Sequence, residues 1–382
     1  MTSGPQYFIG LMTGTSVDAV DAALVRFSSG GRFELHTHIG CDIPPELTAE
    51  IISLFTPGPN EIERLGQVDV QLSQLYSTTV HALLKKARLD KSQICAIGSH
   101  GQTIRHRPNN STPFTLQIGD PNTLSALTGI PTIADFRRKD IALGGQGAPL
   151  APAFHHHLCA QAAYNQNTLN FQPCALLNIG GIANVSLIQS GNLGETTGFD
   201  TGPGNGLMDA WVSLHRNLPY DNNGEWARSG TVDTALLQSL LAHDYFQKSP
   251  PKSTGKEEFT LAWVQQILRR PELSHIHTED VQATLCEFTA RTIAEPLTAN
   301  KDLHQIYICG GGAHNTYLLE RLAQYLNTTS IYTTEHLGVH PDWVEAVAFA
   351  WLAFQSWHQL PGNITTVTGA SRPAILGGIY YP

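Results

Sequence analysis

The chain has 382 residues, of which 41% are hydrophobic and 14% are charged, and its formal net charge is −9. This composition is typical of a well-buried globular protein and excludes a largely disordered one, while the length predicts two domains. The acidic balance argues against nucleic acid or an anionic membrane surface as a partner, because both attract clustered cations.

The cysteines and the apolar runs indicate the expected compartment. Six cysteines show no close pairing and no C-x-x-C spacing, which favours free thiols in a reducing cytoplasm over zinc or redox sites. The apolar run at residues 7–12 is too short for a signal peptide, and no run approaches the ~20 residues of a membrane span. We therefore predict a cytoplasmic protein without a membrane partner.

The first predicted elements are strands at residues 7–11, 22–27 and 33–39, joined as an antiparallel meander. The turn between the first two carries backbone amides and two hydroxyls, which can wrap a β/γ-phosphate. Asp18 or Asp21 is the candidate to hold Mg²⁺, directly or through water. On this segment alone, a plain Gly/Ser/Thr hairpin is an equally good interpretation. The candidate ATP-binding residues here are Gly14, Thr15, Ser16, Val17, Asp18, Ala19, Val20 and Asp21.

A long amphipathic helix is predicted next. Apolar residues recur at helical spacing from Leu65 to Leu83, and Asn60 with Glu63 resembles a capping box at the helix start.

Further strands are predicted at residues 94–97, 115–118 and 132–134, so the first half is mixed α/β. His100 and Arg137 each follow one of these strands. Polar side chains at strand ends commonly line a ligand pocket, although a solvated surface is an equally good interpretation.

The Gly/Pro-rich segment 144–149 (GGQGAP) is the predicted domain boundary. It gives an N-terminal α/β domain of residues 1–148 and a C-terminal α/β domain of residues 149–382, with the option that the extreme C-terminus returns to the first domain. After this boundary, predicted strands at residues 175–179 and 183–188 flank Gly180 and Gly181. This repeats the layout of the first strands and predicts a second phosphate-binding turn.

A single carboxylate, Asp200, lies in the glycine- and proline-rich segment 198–205 (GFDTGPGN). These residues predict a loop in place of a helix or an ordinary strand, and the lone acid in it is the candidate catalytic base. Gly310, Gly311 and Gly312 follow a strand predicted at residues 304–309 and precede a helix predicted at 315–326. An anion or adenosine is expected at that helix start.

Helices dominate the second half, at residues 206–215, 232–243, 260–269 and 279–298, the last interrupted by Pro296. A long apolar helix is predicted to begin at Pro341 and to run to Trp357. Glu345 lies on its otherwise apolar face, and because burial of an unpaired acid is costly, we expect this side chain to contact a ligand.

The chain resembles the anhydro-N-acetylmuramic acid kinase family, which is part of the superfamily of sugar kinases, heat-shock chaperones and actin. The resemblance runs nearly end to end and rests on the number and order of its motifs. These are IGLMTGTS (9–16), SHGQT (99–103), IADFR (133–137), GGQGAP (144–149), NIGGIAN (178–184), GFDTGPGN (198–205), PKSTG (251–255) and CGGG (309–312).

The resemblance implies a two-domain actin-like ATPase (ribonuclease H-like) fold with the active site in the interdomain cleft. It also implies ATP bound through residues 14–21, Asp200 as the catalytic base, and a sugar pocket with His100, Arg137 and Glu345 as candidates. The expected reaction converts 1,6-anhydro-N-acetylmuramic acid, ATP and water to N-acetylmuramic acid 6-phosphate and ADP, in cell-wall recycling. A homodimer is a further implication. Ala19 departs from the glycine that the family usually has at this position.

Two rival functions follow from the same residues. In a kinase for another sugar or polyol, Asp200 would deprotonate a substrate hydroxyl instead of water. The other rival is a nucleotide-driven switch like the actin or chaperone members of the superfamily.

Overall fold

The computed structural model describes residues 4–14, 16–165, 171–250, 252–255, 258–326 and 329–382. The chain divides into two compact units, the first formed by Met1–Asn167 and Trp343–Pro382 and the second by Thr168–Asp342. This division differs from the boundary predicted at residues 148/149. A tertiary contact accounts for the difference. The side-chain amide of Gln161 exchanges two hydrogen bonds with the backbone of Phe33, at 2.8 and 2.9 Å, and so joins the segment after residue 148 to the first unit.

The elements are numbered in chain order over the described residues. The strands are β1 (Gln6–Thr13), β2 (Ala19–Phe27), β3 (Phe33–Asp42), β4 (Ile94–Ser99), β5 (Gln102–Arg107), β6 (Phe114–Ile118), β7 (Thr132–Ala134), β8 (Cys174–Ile179), β9 (Ile182–Ile188), β10 (Thr197–Pro203), β11 (Gln305–Cys309), β12 (Ser330–Thr333) and β13 (Gly378–Tyr380). The α-helices are α1 (Pro45–Ser53), α2 (Glu61–Ala87), α3 (Pro121–Thr128), α4 (Arg138–Ala142), α5 (Ala151–Asn165), α6 (Gly206–Arg216), α7 (Glu225–Ser229), α8 (Thr234–Leu241), α9 (Leu261–Leu268), α10 (Thr278–Thr298), α11 (Thr316–Tyr325), α12 (Val344–Trp357) and α13 (Thr365–Thr368).

The described residues of the first unit form a six-stranded sheet in the order β13-β7-β4-β1-β2-β3. β1, β2 and β3 are an antiparallel meander, as predicted, and β4 and β7 continue the sheet in parallel. β5 and β6 pair separately as a hairpin, so Gln102 and Thr103 begin a strand that sequence analysis missed.

The described residues of the second unit form a five-stranded sheet in the order β10-β9-β8-β11-β12. Its first three strands are again an antiparallel meander, and β11 and β12 again continue in parallel from the first strand. Each unit therefore has the strand order of a ribonuclease H-like domain, and the chain has the two-domain α/β fold of the actin-like ATPases. The repeated strand layout predicted for the two halves is confirmed, because the two sheets share strand order and strand directions.

The predicted helix between Leu65 and Leu83 is confirmed as α2, whose apolar face packs against the first sheet. The capping box predicted at its start is wrong. Asn60 adopts a left-handed conformation (φ 49°), and its side chain makes no capping hydrogen bond. The interruption predicted at Pro296 is also wrong, because α10 continues to Thr298. A proline so close to the end removes only one of the hydrogen bonds that hold this long helix.

Two glycines allow α12 to lie directly on the first sheet. A Cβ at Gly10 would lie 1.8 Å from the carbonyl oxygen of Ala346, and one at Gly98 would lie 2.1 Å from that of Phe349. No side chain fits in such gaps, so β1 and β4 need glycine where the helix crosses them. α12 begins at Val344, after a short 3-10 turn at Pro341–Trp343, so Pro341 starts that turn and not the helix.

Candidate active site

Asp200 lies in a strand and not in the loop that its glycine-rich neighbours predict. β10 pairs antiparallel with β9, and the register shifts between Asp200 and Gly202, which indicates a bulge at Thr201. Gly202 has φ +144°, and a Cβ there would lie 2.8 Å from the ring of Phe246. The glycines therefore bend an edge strand without ending it, and the bend re-aims the Asp200 side chain.

The residues around Asp200 come from a segment that sequence analysis quoted only as a motif. The backbone N–H of Thr254 donates to Asp200 Oδ2 at 2.9 Å, and the N–H of Asp200 donates to the carbonyl of Lys252 at 3.1 Å. The hydroxyl of Tyr245 donates to the carbonyl of Asp200 at 2.7 Å. The PKSTG motif was the available signal for Thr254, and no sequence signal pointed to Tyr245. Pro251 of the motif lies outside the described residues.

Gly180 and Gly181 form the turn between β8 and β9, as predicted. The N–H of Asn205 donates to the carbonyl of Gly180 at 2.7 Å, and the N–H of Gly206 donates to that of Gly181 at 3.2 Å. A Cβ at Gly204 would lie 2.2 Å from the Gly180 carbonyl oxygen. Gly204 and Gly206 thus allow the start of α6 to pack backbone to backbone against this turn.

Gly310, Gly311 and Gly312 pack against the same turn. Gly310 has φ +78°, and a Cβ there would lie 2.3 Å from the side-chain oxygen of Asn178, while one at Gly312 would lie 2.3 Å from the side chain of Ile179. The second unit therefore brings two of the predicted glycine turns together.

The helix predicted at residues 315–326 is confirmed as α11, which begins at Thr316. Gly311–His314 form a 3-10 turn between the first glycine and this helix. Asn315 caps α11, its side chain accepting from the N–H of Leu318 at 3.0 Å. An anion at the start of α11 would have to compete with this cap.

The turn between β1 and β2 contains Gly14, Ser16, Val17 and Asp18, while Thr15 lies outside the described residues. Asp18 Oδ1 accepts from the Ser16 hydroxyl at 2.5 Å and from the N–H of Ala19 at 3.0 Å. Val17 is fully buried with φ 57°, a rare conformation for a β-branched residue. Such backbone strain concentrates at functional turns, and here the hydroxyl of Thr48 supports it by donating to the Val17 carbonyl at 3.0 Å.

Three of the predicted turn residues belong to the strand. Ala19, Val20 and Asp21 are the first residues of β2, and Ala19 pairs with Asp42 of β3. This corrects the predicted start of the strand at residue 22. It also gives Ala19 an extended backbone, in which its methyl group is tolerated without the positive φ that favours glycine.

The structure brings the three sugar-pocket candidates of the first unit to one region. Arg137 Nε and Nη2 lie 3.1 and 2.9 Å from Nε2 of His100, and Arg137 Nη1 donates to the carbonyl of Gly147 at 2.8 Å. The His100 ring packs against the ring of Phe349 of α12, with 4.7 Å between the ring centroids and 43° between the ring planes. The same helix carries Glu345 in its first turn.

The charges in this cluster influence one another. Burial and the positive charge of Arg137 hold the pKa of His100 well below its usual value of 6.5, so the ring is neutral. Burial raises the pKa of the Glu345 carboxyl, and the nearby Arg137 opposes that rise. The buried Ser99 Oγ and Gln102 Oε1 on either side of His100 have no hydrogen-bond partner among the described residues. Buried polar atoms in this state commonly bond a ligand or a water.

A buried carboxylate supports the backbone that Arg137 binds. Asp140 is fully buried, and its Oδ2 accepts from the N–H of Gly147 at 2.7 Å. Its Oδ1 accepts from Asn363 Nδ2 and from the hydroxyl of Thr368, both at 2.7 Å. Asp140 therefore joins α4, the glycine turn 144–147 and the C-terminal segment. Sequence analysis missed it because one acid in a charged run carries no pattern.

The candidate residues are thus divided between the units. The first holds the turn after β1 and the cluster of His100, Arg137 and Glu345, and the second holds Asp200 with the two glycine turns. Among the described residues, no helix has the length and apolar character needed to cross a bilayer.

Comparison with known proteins gives full-length similarity to one family. The family described as anhydro-N-acetylmuramic acid kinase matches residues 6–382. The anhydro-N-acetylmuramic acid kinase of Shewanella pealeana is 50% identical over 374 residues, covering 98% of this chain and 98% of that protein. The protein of the same name from Coxiella burnetii is 49% identical over 375 residues, covering 98% and 97%. Among solved structures, component A of (R)-2-hydroxyglutaryl-CoA dehydratase from Acidaminococcus fermentans covers 92% of this chain and 99% of its own, with a TM-score of 0.47 at 11% identity, which carries no argument about function.

Proposed function

The chain belongs to the anhydro-N-acetylmuramic acid kinase family, and from this premise we propose that it phosphorylates 1,6-anhydro-N-acetylmuramic acid with ATP. The products are N-acetylmuramic acid 6-phosphate and ADP, and the reaction serves the recycling of cell-wall sugar. The observation that carries the proposal is family membership over nearly the whole length of the chain.

In the proposed mechanism, Asp200 is the general base. Its carboxylate takes a proton from water, and the water oxygen forms a bond to the anomeric carbon as the bond from that carbon to the bridging O6 breaks. The released O6 attacks the γ-phosphorus of ATP, and the bond to the β-phosphate oxygen breaks to release ADP. The backbone contacts of Asp200 with Tyr245, Lys252 and Thr254 support this role, because a base must be held in one geometry to act in a concerted step.

We assign sugar binding to His100, Arg137 and Glu345. The Arg137 guanidinium offers hydrogen-bond donors and holds the neutral His100 ring, and burial raises the pKa of the Glu345 carboxyl. Ser99 Oγ and Gln102 Oε1 have no partner in the described part of the chain, and together with them these groups suit the hydroxyl and carbonyl oxygens of an amino sugar.

Nucleotide binding is assigned to the glycine turns. Gly14, Ser16, Val17 and Asp18 of the first turn, with Thr15, Ala19, Val20 and Asp21, are the proposed β/γ-phosphate contacts. Gly180, Gly181, Gly310, Gly311 and Gly312 are the proposed nucleotide contacts of the second unit.

Asp18 or Asp21 is the proposed holder of Mg²⁺, directly or through water. The described residues contain no group of three or more His, Cys, Asp or Glu side chains arranged to hold a metal. A single carboxylate still fits, since magnesium in kinases is commonly held by one or two carboxylates, phosphates and water. When bound, the ion would offset the negative charge of the phosphates.

The proposed function is tested by product analysis in ¹⁸O-labelled water. The protein is incubated with ATP, Mg²⁺ and the anhydro sugar, and the products are identified by mass spectrometry. We expect a sugar 6-phosphate carrying one ¹⁸O atom at the anomeric hydroxyl. A phosphorylated sugar that keeps its anhydro bridge would contradict hydrolytic opening. Phosphorylation of ordinary sugars alone would favour the sugar or polyol kinase, and ATP turnover without sugar phosphate would favour the nucleotide-driven switch.

A cytoplasmic location and a homodimer stay predictions. Size-exclusion chromatography with light scattering tests the second of them directly.

A further inference from the structure

At Asp200, the backbone on the outer edge of β10 forms hydrogen bonds with residues outside the sheet. β10 is the edge strand of the second sheet, so main-chain groups that face away from β9 need other partners. The N–H of Asp200 donates to Lys252 and its carbonyl accepts from Tyr245. Two separate segments therefore hold the backbone of one residue at the point where the strand bulges.

The hydroxyl of Tyr245 is a permanent donor in this arrangement. Tyr245 is fully buried in a 3-10 turn at Asp244–Gln247. Burial, together with the nearby carboxylates of Asp200 and Glu258, raises the pKa of the hydroxyl, which keeps its proton at physiological pH. Its ring packs edge-on against Phe259, with 5.6 Å between the ring centroids. Packing thus aims the hydroxyl at the Asp200 carbonyl.

The carboxylate of Asp200 is held by a second contact. The N–H of Thr254 donates to Oδ2 at 2.9 Å, and the Thr254 hydroxyl donates to Glu258 Oε2 at 2.6 Å. The bond to Glu258 restrains the segment that carries the amide. One oxygen of the base is therefore bound to a fixed donor, which limits the rotation of the carboxylate.

We propose that Tyr245 and Thr254 are positioning residues for Asp200, Tyr245 through the backbone carbonyl at the bulge and Thr254 through the carboxylate oxygen. This inference rests on the proposed role of Asp200 as the base. Neither residue needs to touch the substrate. A displacement of about 1 Å at a reacting group can cost on the order of 10²-fold in rate, so contacts of this kind act on turnover more than on ground-state binding.

The direct test is Tyr245→Phe, which removes one oxygen and keeps the ring. We expect kcat to fall by roughly 5- to 50-fold, while KM for ATP and for the anhydro sugar stays within about two-fold. Tyr325→Phe is the matched control, because Tyr325 also donates its hydroxyl to a buried group of the second unit, the carboxylate of Glu287. It should lose stability without losing kcat.

A double-mutant cycle separates positioning from a general structural effect. If Tyr245 acts through Asp200, adding Tyr245→Phe to Asp200→Asn should change the residual kcat by less than about two-fold. An equal fall in kcat in both backgrounds would overturn the inference.

Thr254→Val serves as a second variant if Tyr245→Phe folds poorly. It removes the hydroxyl that donates to Glu258 and keeps the N–H that donates to Asp200. Thr254→Val should lower kcat less than Tyr245→Phe does, with KM nearly unchanged. A wild-type kcat in a folded Thr254→Val protein would contradict the role of Thr254.

Failure of this inference is distinguishable from failure of the proposed function. A wild-type protein that makes no sugar phosphate contradicts the function. An active wild-type protein whose Tyr245→Phe variant is folded, by circular dichroism and thermal melting, and turns over at the wild-type rate contradicts the inference alone.

Discussion

The guanidinium of Arg137 donates to Nε2 of His100, with Nε at 3.1 Å and Nη2 at 2.9 Å. Arginine has no acceptor, so Nε2 must be the unprotonated nitrogen of the ring, and the proton of the neutral imidazole is on Nδ1. The low pKa of His100 agrees with a neutral ring. One side chain thus fixes both the orientation and the charge state of the other.

Arg137→Lys should lower kcat/KM for the anhydro sugar by about 10- to 100-fold, equivalent to ~1.4–2.7 kcal/mol. Lysine keeps the charge but cannot contact His100 and the Gly147 carbonyl in the same planar geometry. KM for ATP should change by less than about two-fold. The matched control is Arg138→Lys, since Arg138 is mostly exposed and pairs with the nearby Asp135. If kcat/KM for the anhydro sugar were equal in the two variants, Arg137 would not be a sugar-binding residue.

Asp140→Asn should destabilise the protein by about 2–4 kcal/mol. Among the described residues, the carboxylate accepts from three donors, whereas an asparagine offers one acceptor oxygen and a competing NH₂ group. Urea denaturation followed by circular dichroism measures the change. Asp302→Asn, at an exposed position, should stay within about 0.5 kcal/mol of wild type. If Asp140→Asn also stayed within about 0.5 kcal/mol of the wild-type stability, the three donors would have found other partners.

Much of the fold could be predicted because it depends on local patterns. The meander of β1, β2 and β3 follows from alternation and glycine turns, and α2 follows from apolar spacing. The domain boundary could not be predicted in this way. The bonds from Gln161 to the backbone of Phe33 join residues 128 positions apart, and no local signal marks such a pairing.

The same contrast holds at the candidate site. Motif residues such as Gly204 and Gly310 could be found because glycine is needed where a backbone passes close to its neighbours. The strand at Asp200 was missed because glycine and proline usually end a strand, whereas here pairing with β9 tolerates them through a bulge. Tyr245 was missed for another reason. Its hydroxyl reaches Asp200 from 45 residues away, through packing that only the folded chain provides.

Asp200→Asn should lower kcat by about 10²–10⁴-fold and leave KM for ATP nearly unchanged, because an amide cannot accept the proton of water. Steady-state kinetics with coupled detection of ADP, run with the anhydro sugar present, measures this directly. The Asp302→Asn variant again serves as the control and should turn over at the wild-type rate. A variant at Asp200 that retains more than about a tenth of kcat would show that another group is the base.

Stability should fall as the pH drops below about 6.5 because His155 is buried. Burial lowers the pKa of His155 to about 3, whereas the unfolded chain has the usual value near 6.5. The unfolded state therefore binds the proton first. The loss begins below pH 6.5, reaches about 2 kcal/mol at pH 5, and levels off only near pH 3. Urea denaturation at pH 7.5 and 5 should show a smaller pH effect in His155→Leu than in wild type. If the stability of His155→Leu changed with pH as much as that of wild type, other groups would be responsible for the pH dependence.

Ala19→Gly should leave KM for ATP within about three-fold of wild type. Ala19 is extended in β2 and paired with Asp42, so a glycine relieves no strained φ at this position. The substitution should instead cost about 0.5–1 kcal/mol of stability, because glycine has more freedom to lose when the strand forms. Ala22→Gly, deeper in the same strand, should be destabilising too, with no effect on ATP. The contrary result is a tenfold tighter KM for ATP in Ala19→Gly alone, about 1.4 kcal/mol, which would mean that the methyl group of Ala19 crowds the phosphates.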